Sequence, residues 1–465
     1  MIVTMPNIKR LTCILPKLSI QWVLLTSACF SQTSVCFADS TALPLTLAQS
    51  QALAVSQDPW QRSNALQHQA LLLSSEAAGQ LPDPMLTLGL ANMPIDSWRF
   101  NQEPMTQMVV GINQQFARGD SLAIRQQQLR EQAASLPWLS QERQARARAD
   151  VSYAWLDAFT AQQRLRQLDE HYRALGQLAE VVAASYASAQ GSSQQQDLIS
   201  IDVALARLDD RKLMLQQNKD TAFTRLLEWL PRDAMVQGPE LPQTWPQFPA
   251  LRPELQNALS NHDMAVLREV LRQHPSLLAI GQHIKAQEKA VALSEEKYKP
   301  QWGLSANYGY RDSDPMGQSR SDFFSIMLNV DLPLFTTNKQ DKDREAAVLT
   351  QASLQTDQEL VLRRLVAKAM NHWHSAQQLQ QRMHNYQQQL LPKLAAQAQA
   401  NLNAYTAATG NFSEVLRSQI EQLDTQEALL SLHSALLKEQ AELQYVFLTK
   451  TENELNRIMH TGAQP

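Results

Sequence analysis

The chain has 465 residues, a net charge of −4 and no basic tract, which argues against nucleic acid as a partner. All three cysteines, Cys13, Cys29 and Cys36, lie near the N-terminus, so the remainder can hold no disulfide, thiolate metal site or thiol nucleophile. Past that region no apolar run reaches the ~18 residues a membrane helix needs, so a membrane-resident form must be a β-barrel. Yet 13 glycines and 6% aromatics are too few for a chain that is mostly barrel, and the bulk is rich in the helix formers Ala, Gln, Leu, Arg and Glu.

The chain opens with Lys9, Arg10 and Lys17, an apolar stretch from Ile20 to Phe30, and a small-residue site at Cys36-Phe37-Ala38. That order predicts a secretory signal peptide over residues 1–38 and a mature start at Asp39. Thr26-Ser27-Ala28-Cys29 is the alternative, a loose lipid-attachment box that would acylate Cys29. Removing the leader takes three cations with it, and the net charge moves from −4 to −7.

The rest repeats itself. Pro59 and Pro84 recur as Pro275 and Pro300 at an offset of 216, and Tyr186 and Gly191 recur as Tyr405 and Gly410 at an offset of 219. Each unit reads helix, strand, loop, strand, long helix, glycine turn, long helix. The first spans 39–240, a proline-rich strap with Trp245 covers 241–255, and the second spans 256–465 with a C-terminal tail. The expected fold is mainly α, with long antiparallel helical hairpins, plus four strands per protomer of a shared barrel.

In the first unit Leu86, Leu88 and Leu90 alternate with Thr87, Gly89 and Ala91, and Val110, Ile112, Gln114 and Phe116 mark the return strand. In the second, Trp302, Leu304, Ala306, Tyr308 and Tyr310 form one face, and Phe324, Ile326, Leu328, Val330 and Leu332 that of its partner. Lipid-facing apolar residues at every second place suit a transmembrane barrel; an ordinary half-buried hairpin has the same period. Four strands cannot close a barrel when the smallest use ~8, so the chain must oligomerise. The helical pairs run over 121–230 and 339–447, with a stripe such as Leu165, Leu168, Tyr172, Leu175 and Leu178 suited to helix-on-helix packing. Pro137 and Pro392 predict breaks or kinks.

Tyr186 to Gly191 followed by Asp197-Leu198-Ile199, and Tyr405 to Gly410 followed by Glu414-Val415-Leu416, resemble the two helix-turn tips of the TolC-like outer-membrane factors. Leu81-Pro82-Asp83-Pro84, Ala91-Asn92-Met93-Pro94, Gln102-Glu103-Pro104-Met105 and Gln114-Gln115-Phe116-Ala117-Arg118-Gly119 are similar to the heavy-metal efflux (Czc/Cus-type) branch, though Ala117 stands where relatives carry proline. The resemblance implies a homotrimeric conduit through outer-membrane lipid. A periplasmic α-barrel would be closed until an adaptor protein and an inner-membrane resistance-nodulation-division pump engage it. It makes Gly191 and Gly410, with Tyr186 and Tyr405, candidates for the adaptor-facing turns.

Glycine permits the φ > 0 backbone that reverses a helix. Asp197 and Glu414 just beyond the turns would ring the narrow end with negative charge that favours cations, or else serve only to stabilise helix N-termini. For the two tyrosines, packing between helices is the simpler reading than a gating hydrogen bond. His372-Trp373-His374 predicts no metal site, because i and i+2 on a helix do not face each other. Met370 and Met383 read as packing residues, and Asp209-Asp210 and Glu295-Glu296 as solvated helix faces. No enzyme fingerprint is present, and no cofactor is expected. The cargo is metal cations by resemblance, with small organic toxins or an exported polypeptide as alternatives, and a periplasmic helical adaptor or scaffold as the rival class.

Overall fold

The computed structural model describes residues 44–188, 193–230 and 241–448. The leader, Cys29 and Gly191 lie outside them. Ten α-helices and four strands follow in the order α1 (Leu47–Ser56), α2 (Pro59–Ala78), β1 (Met85–Ala91), β2 (Gln107–Gln115), α3 (Ser121–Ala187), α4 (Gln195–Leu226), α5 (Pro253–Ser260), α6 (Met264–Leu271), α7 (Pro275–Glu296), β3 (Gln301–Tyr310), β4 (Phe323–Asp331), α8 (Gln340–Asn385), α9 (Leu391–Thr406) and α10 (Phe412–Val446). None of the described helices is long and apolar enough to cross a membrane.

The repeat has a physical counterpart at the caps. Asp58 accepts from the Trp60 amide and puts Pro59 at the first turn of α2; at the equivalent place His274 accepts from the Ser276 amide ahead of Pro275 in α7. Proline is tolerated there because its missing N–H is one of the helix's unpaired donors anyway. Each capped helix then leads into a strand pair.

The strands form one antiparallel sheet in the order β1-β2-β3-β4. Its register aligns Leu88, Val110, Tyr308 and Phe324 in one row and Leu86, Ile112, Ala306 and Ile326 in the next. Between them runs Thr87, Gly111, Asn307 and Ser325, on the opposite face. The alternation in each strand therefore adds up to one apolar face and one mostly polar face. Leu88, Phe324, Ile326 and Leu328 are each more than 60% exposed, and the outer edges of β1 and β4 have no partner among the described residues.

The helices keep the strand order. Near the sheet α2 packs on α3, α3 on α7 and α7 on α8; farther away α4 packs on α3, α3 on α10, and α10 on α8 and α9. Helix α3, 67 residues long, belongs to both levels and spans about 100 Å.

Of the break or kink expected at Pro137, the break is absent: the proline lies inside one continuous helix. Leu129, Ala133 and Leu136 are buried beside it, and the Asn64 side-chain amide donates to the Leu136 carbonyl at 3.0 Å. Packing on that scale outweighs the ~3 kcal/mol that proline costs a helix interior. At Pro392 the interruption is real: a π-turn, Tyr386–Leu390, separates α8 from α9 and absorbs the lost backbone bond.

The strap is irregular from Leu241 to Arg252 and its last residues begin α5, which with α6 opens the second unit as two short helices. Trp245 sits edge-on to Phe159 at 4.8 Å and against His433 at 4.0 Å, so the strap lies across α3 and α10. Leu255, Leu259, Leu267 and Leu271 bury into a cluster with Leu362, Leu365 and Val446.

Candidate functional site

The sheet passes into the helices through a polar joint. Arg118, beyond β2, donates to the carbonyls of Lys297 (3.3 Å) and Lys299 (3.2 Å) and ion-pairs with Asp331 at the end of β4. Glu296 accepts from the Asp120 amide at 2.9 Å and meets Lys299 Nζ at 2.7 Å, which holds its carboxyl below the usual range. A Cβ on Gly119, at φ +43°, would fall 2.0 Å from Glu296 Oε2, so the glycine admits that carboxylate. Glu295 pairs with Arg344 at 3.0 Å. Glu295 is thus a solvated face, as expected, whereas Glu296 is buried and structural, because through it the second unit grips the first.

Along the helices α10 is tied to α3 and α4. Arg211 reaches Asp424 (2.5 Å) and Glu427 (2.7 Å), Lys438 reaches Asp157 (2.5 Å), and Arg146 reaches Glu442 (3.1 Å). His171 bonds Gln426 at 2.8 Å and Tyr445 donates to Glu142 at 2.6 Å. Sequence reasoning missed this ladder. Its signal is the run of acids on α10 at Asp424, Glu427 and Glu442, whose basic partners are more than 200 positions away.

At the far end the two hairpin tips meet. Tyr405 exchanges a 2.7 Å hydrogen bond with Ser193 of the first unit and tilts against buried Phe412 with ring centres 5.4 Å apart. Leu168, Leu175, Val182, Ile201 and Leu416 complete the cluster beneath. Tyr186 is 50% exposed, so the two repeat-equivalent tyrosines differ in environment.

The turn at Gly410 corrects the expected reason for that glycine. The left-handed residue is Ala408, at φ +55°. Its amide bonds the Tyr405 carbonyl (3.0 Å) and that of Thr409 bonds Ala404 (2.9 Å), which is a Schellman closure of α9. Gly410 is needed for space, since a Cβ there would lie 2.9 Å from Ala404 Cβ.

Of the two acids, Asp197 accepts from the Gln194 amide at 2.8 Å and caps α4. Glu414, in the first turn of α10, is exposed, and its carboxylate makes no hydrogen bond or ion pair among the described residues. The histidines diverge as spacing demands. His372 bonds Glu439 at 2.6 Å, whereas His374 lies beside His262 with ring centres 5.4 Å apart. Among the described residues no three His, Cys, Asp or Glu side chains gather as a metal site requires.

Comparison with known proteins agrees with this architecture. Residues 266–446 match the family of outer membrane efflux proteins. The fold is similar to that of CusC, whose crystal structures concern folding and transmembrane channel formation (TM-score 0.69, 14% identity, 86% of this chain and 91% of that one). It is also similar to the CmeC outer membrane channel of Campylobacter jejuni (0.70, 11%, 89% and 88%) and to the open-state MtrE outer membrane channel of Neisseria gonorrhoeae (0.63, 12%, 86% and 88%). No curated protein matches the chain in sequence. These neighbours are described as channels, and this chain shares their fold.

Proposed function

We propose that three copies of this chain form the outer-membrane channel of a tripartite efflux system, each copy giving four strands to a common barrel and its long helices to a periplasmic duct. The observation that carries the reading is the sheet: a continuous apolar face more than 60% exposed at Leu88, Phe324, Ile326 and Leu328, bounded by two unpaired edges. Water tolerates neither feature well, and lipid tolerates the face only if the edges are closed. Twelve strands from a trimer close them. Within this reading residues 1–38 are an export signal, and the units 39–240 and 256–465 are joined by the strap 241–255.

The turn at Gly410 with Tyr405, and the segment after Tyr186 that carries Gly191 in sequence, are the surfaces offered to a periplasmic adaptor, behind which an inner-membrane resistance-nodulation-division pump supplies substrate. Asp197 and Glu414 are the charges nearest that entrance, and Glu414 is the one whose carboxylate has no partner among the described residues. Heavy-metal cations are the cargo we favour. The support is the likeness of the segments around Pro82, Pro94, Pro104 and Gln114 to the heavy-metal branch.

A deletion strain challenged with zinc, cobalt, cadmium, copper and silver tests the cargo. Heightened sensitivity to at least one metal, restored by the intact gene, is the expected result. Unchanged tolerance to all five, with sensitivity to organic toxins instead, would move the cargo to that class.

A further inference from the structure

One arginine departs from the pattern of its neighbours. On α3, Arg143 is paired with Asp58 and Arg146 with Asp150 and Glu442. Arg148 is half-buried, and no carboxylate and no hydrogen bond reaches its guanidinium among the described residues. Its backbone carbonyl accepts from Ser152 Oγ at 2.7 Å, and that hydroxyl accepts in turn from Gln51 Nε2 at 2.8 Å, so the polar neighbours are spent on one another. Desolvation alone acts on Arg148 and draws its pKa below the usual arginine value. A charge withdrawn from water without a partner is costly, and such a group is normally paired.

The guanidinium opens into a cavity of about 530 Å³ between α1, α3, α10 and the strap. The walls include Phe248, Leu251, Leu255 and Phe447, the amides of Gln51 and Gln444 add two polar points, and Arg252 stands at the exposed rim. Although the protein as a whole is acidic, no acidic residue lines this space among the described residues. An apolar cleft of ~300–1,000 Å³ with a few convergent polar groups is the usual form of a small-molecule site.

We propose that this cavity binds a small organic carboxylate with an apolar body, its acid group held by Arg148 and its body laid on Leu251, Leu255 and Phe447. Guanidinium takes carboxylate as a bidentate pair and supplies the charge complement that the fold withholds. Position in the molecule excludes a membrane lipid, because Arg148 lies about 40 Å along α3 from its start at the sheet. The site is independent of what the duct carries.

The test uses the assembled protein in nanodiscs of neutral phosphatidylcholine, with 2-naphthoate as probe and 2-naphthamide as its uncharged isostere, followed by calorimetry. The expected result is one naphthoate per protomer, bound at least about tenfold more tightly than the amide. Arg148→Met should reduce naphthoate to the level of the amide, and Arg252→Gln should have a smaller effect. Equal affinity of the native protein for acid and amide overturns the proposal, as does undiminished naphthoate binding by an Arg148→Met protein with native helicity and assembly. If that variant does not assemble, the acid-to-amide ratio on the native protein decides alone.

Discussion

His274 shows how much one side chain can carry in this fold. It is 1% exposed, receives the Ser276 amide at Nδ1 and sits with Nε2 3.3 Å from the Tyr445 carbonyl, an arrangement that suits the neutral ring with its proton on Nε2. Burial is the main reason its pKa falls from 6.5 to about 4; the bond to Tyr445 opposes the shift and Lys368 adds to it. Unfolded chain takes up this proton near pH 6.5 and folded chain only near pH 4. The contribution to stability is thus complete above pH 6.5 and lost as pH falls through that interval, to a total of about 3 kcal/mol. Thermal melts between pH 7 and pH 4 should show the loss, and His274→Asn, which keeps a capping acceptor and does not titrate, should flatten this part of the profile. An unchanged profile would mean that His274 takes up its proton at the same pH in the folded and unfolded chain.

The tip acids separate in the same way. Glu414→Ala should lower single-channel cation preference with little effect on stability, because its carboxylate has no partner to lose. Asp197→Ala should cost roughly 1 kcal/mol of helix stability through its cap. If both variants conduct and select as the native channel does, neither acid is part of the gate. These positions were legible in the sequence as members of a repeat, but their differing roles were not. The Gln194 amide, which belongs to no motif, sets Asp197 apart.

Among the elements, the strands were the most legible, since a period of two identifies a face before any pairing is known. What the period leaves open is which faces join, and the register answers it by placing Leu328 beside Leu304 and Asn329 beside Gly303. Adjacent residues of β4 therefore meet different media. Leu328→Arg should destabilise the barrel by ~2–4 kcal/mol if it lies near the bilayer midplane, and Asn329→Arg should leave assembly intact while lowering cation conductance. Outer-membrane yield and bilayer recordings of the two variants give the comparison; equal tolerance of both would contradict the assignment of faces. Helices α5 and α6 were not legible as such, because eight residues each give too short a stretch for helical period to stand out from a proline-rich setting. Pro137 does not end its helix for a reason the sequence hides: its local penalty is real, and buried neighbours on a helix packed by α2 and α7 override it.

For the molecule as a whole, the two repeats explain why helices and strands share one order from end to end. The joint of Arg118, Asp331, Glu296 and Lys299 fastens the units at the sheet, the α10 ladder fastens them along the helices, and Tyr405 with Ser193 fastens them at the tips. All three links cross from one unit to the other, so a protomer should move as one body and any opening of the duct should occur between protomers. The requirement for partners was visible in the strand count alone, whereas the surfaces that meet them belong to the fold.

The central claim is that β1 of one copy pairs with β4 of the next. Leu88→Cys and Ile326→Cys, introduced together into a chain whose only native cysteines are Cys13, Cys29 and Cys36, place one thiol on each free edge strand, on the same apolar face. Oxidation in outer-membrane vesicles, followed by non-reducing electrophoresis of the double variant and both single variants, is the direct measurement. Covalent dimers and trimers from the double variant, with nothing beyond the trimer and no such ladder from either single variant, are expected. A double variant that reaches the outer membrane folded and remains monomeric across adjacent pairs of cysteine positions along β1 and β4 would contradict the shared barrel.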